Sequence, residues 1–280
     1  MRTAGSAFFV LFALMLGVVA LPSAWLASNV VAEDGFVQLT APLADDAKFT
    51  GTLAGALAEE ATASVELPPG VANAVEPVVR DVAQGIAQLP DFDRAWQDTL
   101  RRSHGLTFGG QEQLDSDSGG PAVFTLDVAP LVGLVTAELG GQFGVDVPEP
   151  ERTLVNIGGT DPFDLGERAE TAADLWPALA IAAGVGAVLA LVLARRRSTT
   201  LALLGLGILL TGGVLWIASG LVPGLANQVG DESAVADVFK AALAERAASS
   251  FQEWCLAALA AGILLLVAGV VGRLLSGSRR

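Results

Sequence analysis

His104 is the only histidine of the chain, and it and the acids around it are the residues with most scope for chemistry. One histidine without a cysteine cluster gives a transition metal too few ligands. Ser103 precedes it directly, but consecutive helix residues point apart, so the two do not make a nucleophile–base pair. The expected role is structural, near a helix end where imidazole suits the C-terminal dipole. Asp115-Ser116-Asp117-Ser118-Gly119-Gly120 alternates carboxylates as a calcium loop does, yet the twelfth position, where a bidentate Glu belongs, is Leu126. It reads as a flexible polar loop. Asp91/Asp93 and Glu59/Glu60 could be placed for acid–base work, but 30 acids make some pairs unavoidable, and solvated faces and caps account for them. A hydrolase would need two carboxylates facing each other across a cleft, ~5–9.5 Å apart. The chain has no Gly-rich phosphate loop, nucleophile elbow or HExxH motif. Neither enzyme activity nor a cofactor or metal site is expected.

Periodicity gives the elements that must hold these residues. A helix capped by Asp45 or Asp46 carries Phe49, Leu53, Leu57 and Ala61 on one face and stops at Leu67-Pro68-Pro69-Gly70. A second helix is expected over 71–89, with Pro77 disturbing its start. A third opens at Pro90-Asp91, carries Phe92, Trp96 and Leu100 at spacings of four, and has Gly105 as its natural stop. Leu106-Thr107-Phe108 and Val123-Phe124-Thr125-Leu126 read as short strands around the polar loop 109–120. Asp127 could cap a fourth helix over 128–139, ended by Gly140-Gly141. A third strand is expected over 152–157, and from Phe163 the chain turns helical again.

Around this segment lie four stretches without any charge: 3–32, 175–194, 198–230 and 254–272. Each supplies the roughly 20 apolar residues that a helix needs to cross ~30 Å of hydrocarbon. Arg2, the Arg195-Arg196-Arg197 turn, and Arg273, Arg279 and Arg280 flank these stretches without one acid among them. By the positive-inside rule they anchor both termini and the turn in the cytoplasm. All 30 acids then lie outside, in 28–174 and 221–253. The formal charge of −14 therefore splits into about +7 inside and about −21 outside. Such an exterior argues against nucleic-acid binding, which wants a basic face. Trp25, Trp176, Trp216 and Trp254 sit where interfacial belt residues belong. The first stretch is too long and too lightly charged at its start for an ordinary signal peptide, so it reads as an uncleaved anchor. No charge interrupts the spans, which argues against an ion pathway. Ala180/Gly184 and Ala258/Gly262 suit close helix packing.

The single cysteine, Cys255, leaves the exported segment without a disulfide, so its stability must come from packing. Abundant Ala and Gly, no Tyr and little Lys look like a high-GC bacterial genome. Trp25-Leu26-Ala27-Ser28 echoes Trp216-Ile217-Ala218-Ser219, and Ala56-Leu57-Ala58-Glu59-Glu60-Ala61 echoes Ala242-Leu243-Ala244-Glu245-Arg246-Ala247. The echo suggests a duplicated unit of span, amphipathic helix and span.

The run from Gly35-Phe36-Val37 to Thr40-Ala41-Pro42-Leu43-Ala44-Asp45, the Phe92…Trp96…His104 helix, and Phe124-Thr125-Leu126-Asp127 before a helix resemble an uncharacterised family of actinobacterial four-span integral membrane proteins. That family shares a large extracytoplasmic loop after span one. The resemblance covers most of 25–190 and implies no catalytic residues; Pro42, Leu43, Phe92, Trp96, His104 and Asp127 are its shared positions. The expected architecture is a four-helix transmembrane bundle in a bacterial plasma membrane. Its spans are 1–27, 175–194, 201–220 and 254–275, and 195–200 and 276–280 are cytoplasmic. Outside lie a mostly helical α+β domain with a minor sheet over 28–174 and a smaller amphipathic helix in 221–253. The expected function is a non-enzymatic sensing, scaffolding or interaction module whose partners are the lipid bilayer and other envelope proteins. The alternatives are a transmembrane partner of an ABC-type ATPase with FtsX-like layout, by analogy of topology, and an envelope hydrolase. Oligomeric state stays open.

Overall fold

The computed structural model describes residues 2–63, 85–108, 124–143, 151–157, 165–228 and 233–277. Most of the expected 71–89 helix, the 109–120 loop with its alternating carboxylates, and Arg279 and Arg280 lie outside the described residues. The chain forms two compact units. One comprises Met1–Ser28, Ala169–Val222 and Ala247–Arg280, and the other Asn29–Arg168 and Pro223–Arg246.

The first is an apolar unit. Four helices of the chain are long and apolar enough to cross a membrane: α1 (Arg2–Leu26), α6 (Leu165–Leu193), α7 (Arg197–Ser219) and α9 (Ala234–Gly277). Among the described residues, they carry most of the exposed large hydrophobics, such as Leu11, Met15, Ile181, Val192, Leu210 and Leu264. The Asn29–Arg168 segment has none among its described residues. Small residues let the helices close up. Ser6 Oγ donates to the Ala190 carbonyl (2.9 Å), and a Cβ added at Gly186 would press on Phe12 and Ala13. Gly205, Gly262 and Gly269 bring α7 and α9 together; a Cβ on Gly269 would sit 2.5 Å from the Ala202 nitrogen. Trp25 Nε1 donates to Ser250 Oγ (3.2 Å), and its ring meets Phe251 edge-on.

The second is an α+β unit. After a π turn (Ala27–Val31) come α2 (Glu33–Thr40), a 3₁₀ turn (Ala41–Asp45) and α3 (Ala47–Ala63). Asp46, one of the two expected caps, accepts from the N–H groups of Lys48 (2.8 Å) and Phe49 (3.1 Å). Helix α2 has no counterpart in the sequence reading, although Glu33 and Asp34 in its first turn suit the helix dipole. A second 3₁₀ turn (Ile86–Gln88) leads into α4 (Phe92–Phe108). Strand β1 (Phe124–Asp127), helix α5 (Ala129–Phe143) and strand β2 (Leu154–Ile157) follow, and Val222–Ala226 forms the short α8. The strands pair antiparallel, Phe124 opposite Ile157 and Asp127 opposite Leu154.

Three boundaries differ from expectation. Gly105 does not end α4, and Leu106-Thr107-Phe108 is helix rather than strand. The last turn is held by Thr107, bonded to β1, and by Phe108, whose ring lies 4.7 Å from that of His104. Gly140-Gly141 does not end α5, which continues to Phe143. The amphipathic helix expected within 221–253 and the span expected over 254–275 are one helix, α9. No Gly or Pro occurs between Ala234 and Ala261, and the run is rich in Ala and Leu, so nothing local breaks it. The two stretches joined by the internal echo, 56–61 and 242–247, both lie in helices, α3 and α9.

Candidate functional site

Pro42, Leu43, Phe92, Trp96, His104 and Asp127 all lie in the α+β unit, and all but Pro42 are buried. Trp96 is almost wholly buried, with its indole edge against Phe49 (5.5 Å) and Phe239 (6.3 Å). Its Nε1 donates to the Thr40 carbonyl, where α2 passes into the turn carrying Pro42 and Leu43. Leu43 and Phe92 pack into the same cluster as Trp96, Leu100 and Leu126. Phe124 stacks on Phe239 (5.7 Å), and Val235, Ala236 and Phe239 of α9 have no exposed surface. Arg246 Nε donates to the Leu39 carbonyl (3.2 Å).

His104 is buried between Phe36 and Phe108. Its Nε2 lies 3.1 Å from the Val30 carbonyl and 3.0 Å from that of Val31. Two carbonyl acceptors at one ring nitrogen require that nitrogen to carry the proton. It therefore has no lone pair to offer a metal or a substrate. The contact supplies a donor to two carbonyls at the end of the π turn. His104 lies in the last turn of α4, which ends at Phe108.

Asp127 does more than the expected cap. Its Oδ1 accepts from the N–H of Ala129 at the start of α5 (3.1 Å) and from that of Thr153 beside β2 (3.0 Å). Arg102 lies 3.9 Å from Oδ2. The far edge of β1 is closed by α4. Ser103 Oγ accepts from the Asp127 N–H (2.9 Å) and Thr107 Oγ1 from that of Thr125 (3.3 Å). Each hydroxyl also donates to the carbonyl one turn back, Thr99 and Ser103 respectively. Four helical residues rise ~6 Å and two strand residues span ~6.8 Å, so hydroxyls at i and i+4 match alternate strand amides. The next rung would pair Thr99 with the amide of Ala129, which bonds Asp127 Oδ1 instead. Thr99 Oγ1 is buried without a hydrogen-bond partner. Sequence reasoning missed Ser103, Thr107 and Thr99 as a set; their four-residue spacing was the available signal.

Two concavities lined by described residues bear on function. In the α+β unit, Asp91, Arg102 and Glu151 line one cleft of about 550 Å³ against Ala129, Pro130, Gly133 and Leu134. Asp91 is also ion-paired with Arg94 (3.3 Å), on the exposed surface. In the apolar unit, a groove of about 320 Å³ is lined from all four long helices. Among the described residues no three His, Cys, Asp or Glu side chains converge as metal ligands. Cys255 is buried within the apolar unit. Of the arginines read as anchors, Arg195, Arg196 and Arg197 are exposed at the turn between α6 and α7, and Arg273 is exposed near the end of α9; Arg2 begins α1. Trp176 and Trp254 are half-buried and Trp216 is exposed.

The class these features define is a largely helical protein with four apolar helices long enough to span a bilayer and a separately packed α+β unit. Comparison with known protein families, curated proteins and solved structures finds no match.

Proposed function

We propose that the protein is a multi-pass protein of a bacterial plasma membrane whose acidic α+β unit faces outward as a sensing, scaffolding or interaction module. One observation carries the membrane part. Among the described residues, the large hydrophobics left exposed are confined to the four long helices and the short segment 221–225, and the Asn29–Arg168 segment has none. A water-soluble protein rarely exposes apolar surface on that scale, whereas hydrocarbon solvates it. The basic, acid-free flanks support a cytoplasmic location for the termini and the triple-Arg turn. The actinobacterial resemblance belongs to this reading.

The non-enzymatic part rests on how the most reactive side chains are used. His104 Nε2 and Asp127 Oδ1 each serve two backbone groups, which holds them to the scaffold. Mild-detergent capture of the tagged protein from its native membrane, after cross-linking and read by mass spectrometry, tests the reading. Envelope proteins in the catch are the expected result. A cytoplasmic ATPase would overturn it in favour of the FtsX-like transporter role and direct attention to Arg195–Arg197.

The hydrolase reading retains one supporting observation, Asp91 and Glu151 in a common cleft. It requires that Asp91→Asn or Glu151→Gln abolish an envelope phenotype without loss of folded protein.

A further inference from the structure

We infer that the groove in the apolar unit is a binding site for one acyl chain of a bilayer phospholipid. This rests on the membrane reading above. The groove is bordered by Leu14 and Gly17 of α1, Gly184 and Ala187 of α6, Ile208 of α7 and Ala258 of α9. Its 320 Å³, at roughly 30 Å³ for a water-sized group, has room for about ten such groups, and a methylene is close to that size. Left unfilled, a groove of that size leaves its lining atoms without dispersion partners.

The lining selects against water. Its polar side chain is Thr211, and that hydroxyl already donates to the Gly207 carbonyl (3.0 Å), with the Ile208 carbonyl at 3.2 Å. A water there would lack the two to four partners it needs. An apolar chain needs none.

The glycines show that the space is a feature of the sequence rather than loose packing. A Cβ on Gly262 would meet Leu209 Cγ at 3.0 Å and the Gly205 carbonyl at 3.1 Å, so that glycine serves helix approach. A Cβ on Gly17 or Gly184 would meet nothing within 4 Å. Of the two small-residue pairs read from the sequence, Ala258/Gly262 therefore works as a packing pair, while Gly184 leaves room. Gly184 is also exposed, within the part of α6 long enough to span. The groove thus opens sideways, and a chain can enter from the bilayer without crossing protein.

The test uses the full-length chain in nanodiscs of phosphatidylethanolamine and phosphatidylglycerol, doped with a phospholipid carrying a diazirine on one acyl chain. After irradiation, adducts are mapped by peptide mass spectrometry. Leu14 and Ile208 should be labelled together with the outward-facing Val188 and Val192. In Gly17→Leu/Gly184→Leu, labelling of Leu14 and Ile208 should fall several-fold while Val188 and Val192 hold. The melting temperature should not fall, because the new side chains enter open space. Labelling confined to Val188 and Val192 in the unsubstituted chain, or labelling of Leu14 indifferent to the substitutions, overturns the inference. A disulfide-linked dimer of a Leu14→Cys/Cys255→Ala chain in the same nanodiscs would do so too, by giving the groove to a second copy. If Val188 and Val192 also stay unlabelled, the membrane reading itself has failed.

Discussion

At the scale of single residues, hydrogen-bond accounting separates two neighbours on the α4–β1 seam. Asp127 serves two backbone donors from a buried position, so Asp127→Ala strands both. At about 1–3 kcal/mol for each donor left unpaired, the loss should be about 2–6 kcal/mol, while Asp127→Asn keeps an acceptor oxygen and costs less. Thr99 presents the opposite case, a hydroxyl desolvated with nothing to bond. Thr99→Val removes the unpaired group at nearly constant shape and should raise stability by about 1 kcal/mol. Denaturant titration of the detergent-solubilised protein, followed by Trp fluorescence, reads both signs. Legibility at this scale was uneven. Trp96 and Phe92 declare themselves as core by their spacing. The bond from His104 to Val30 and Val31 joins residues more than 70 positions apart, and nothing local encodes it.

At the scale of elements, α4 does the work of a missing strand. Ser103 and Thr107 supply a hydroxyl ladder to the free edge of β1, which explains how a two-stranded sheet is sustained with all four β1 residues buried. Ser103→Ala with Thr107→Val should leave the fold in place but speed hydrogen exchange at the Thr125 and Asp127 amides. Exchange at the remaining β1 amides, Phe124 and Leu126, should change less. Unchanged protection at Thr125 and Asp127 would show that the hydroxyls are not what closes that edge. The sequence rules for strands and stops misjudge this seam for a physical reason. Leu106-Thr107-Phe108 has strand-like residue types, and Gly105 is a good stop only where a left-handed turn follows. Here a tertiary bond from Thr107 to β1, with the Phe108 ring packed one turn back on His104, holds the helix through the glycine. The unbroken α9 shows the converse: local composition favours helix throughout, and hydropathy alone had suggested a division near residue 254.

At the scale of the whole molecule, charge and hydropathy made the four long helices legible, because a charge-free run of such length has few other uses. The composition of the α+β unit was legible only in part. Its first segment carries most of the core, but the buried Val235, Ala236 and Phe239 come from far along the chain. A polypeptide limited to 29–168 should therefore expose the surface under Phe239, bind a hydrophobic dye and resist purification as a monomer. Adding a peptide spanning 233–250 should reverse this, and a well-behaved 29–168 fragment would refute the dependence.

That dependence has a consequence in time. Phe239 is made 71 residues after Arg168, about 4–14 s later at ~5–20 residues per second. Throughout that interval the nascent α+β unit carries an open aromatic socket lined by Trp96 and Phe124. The ribosome must build two further apolar helices before the plug arrives. Biogenesis of this protein is thus a waiting problem, and a chaperone that shields aromatic surface would find its client there.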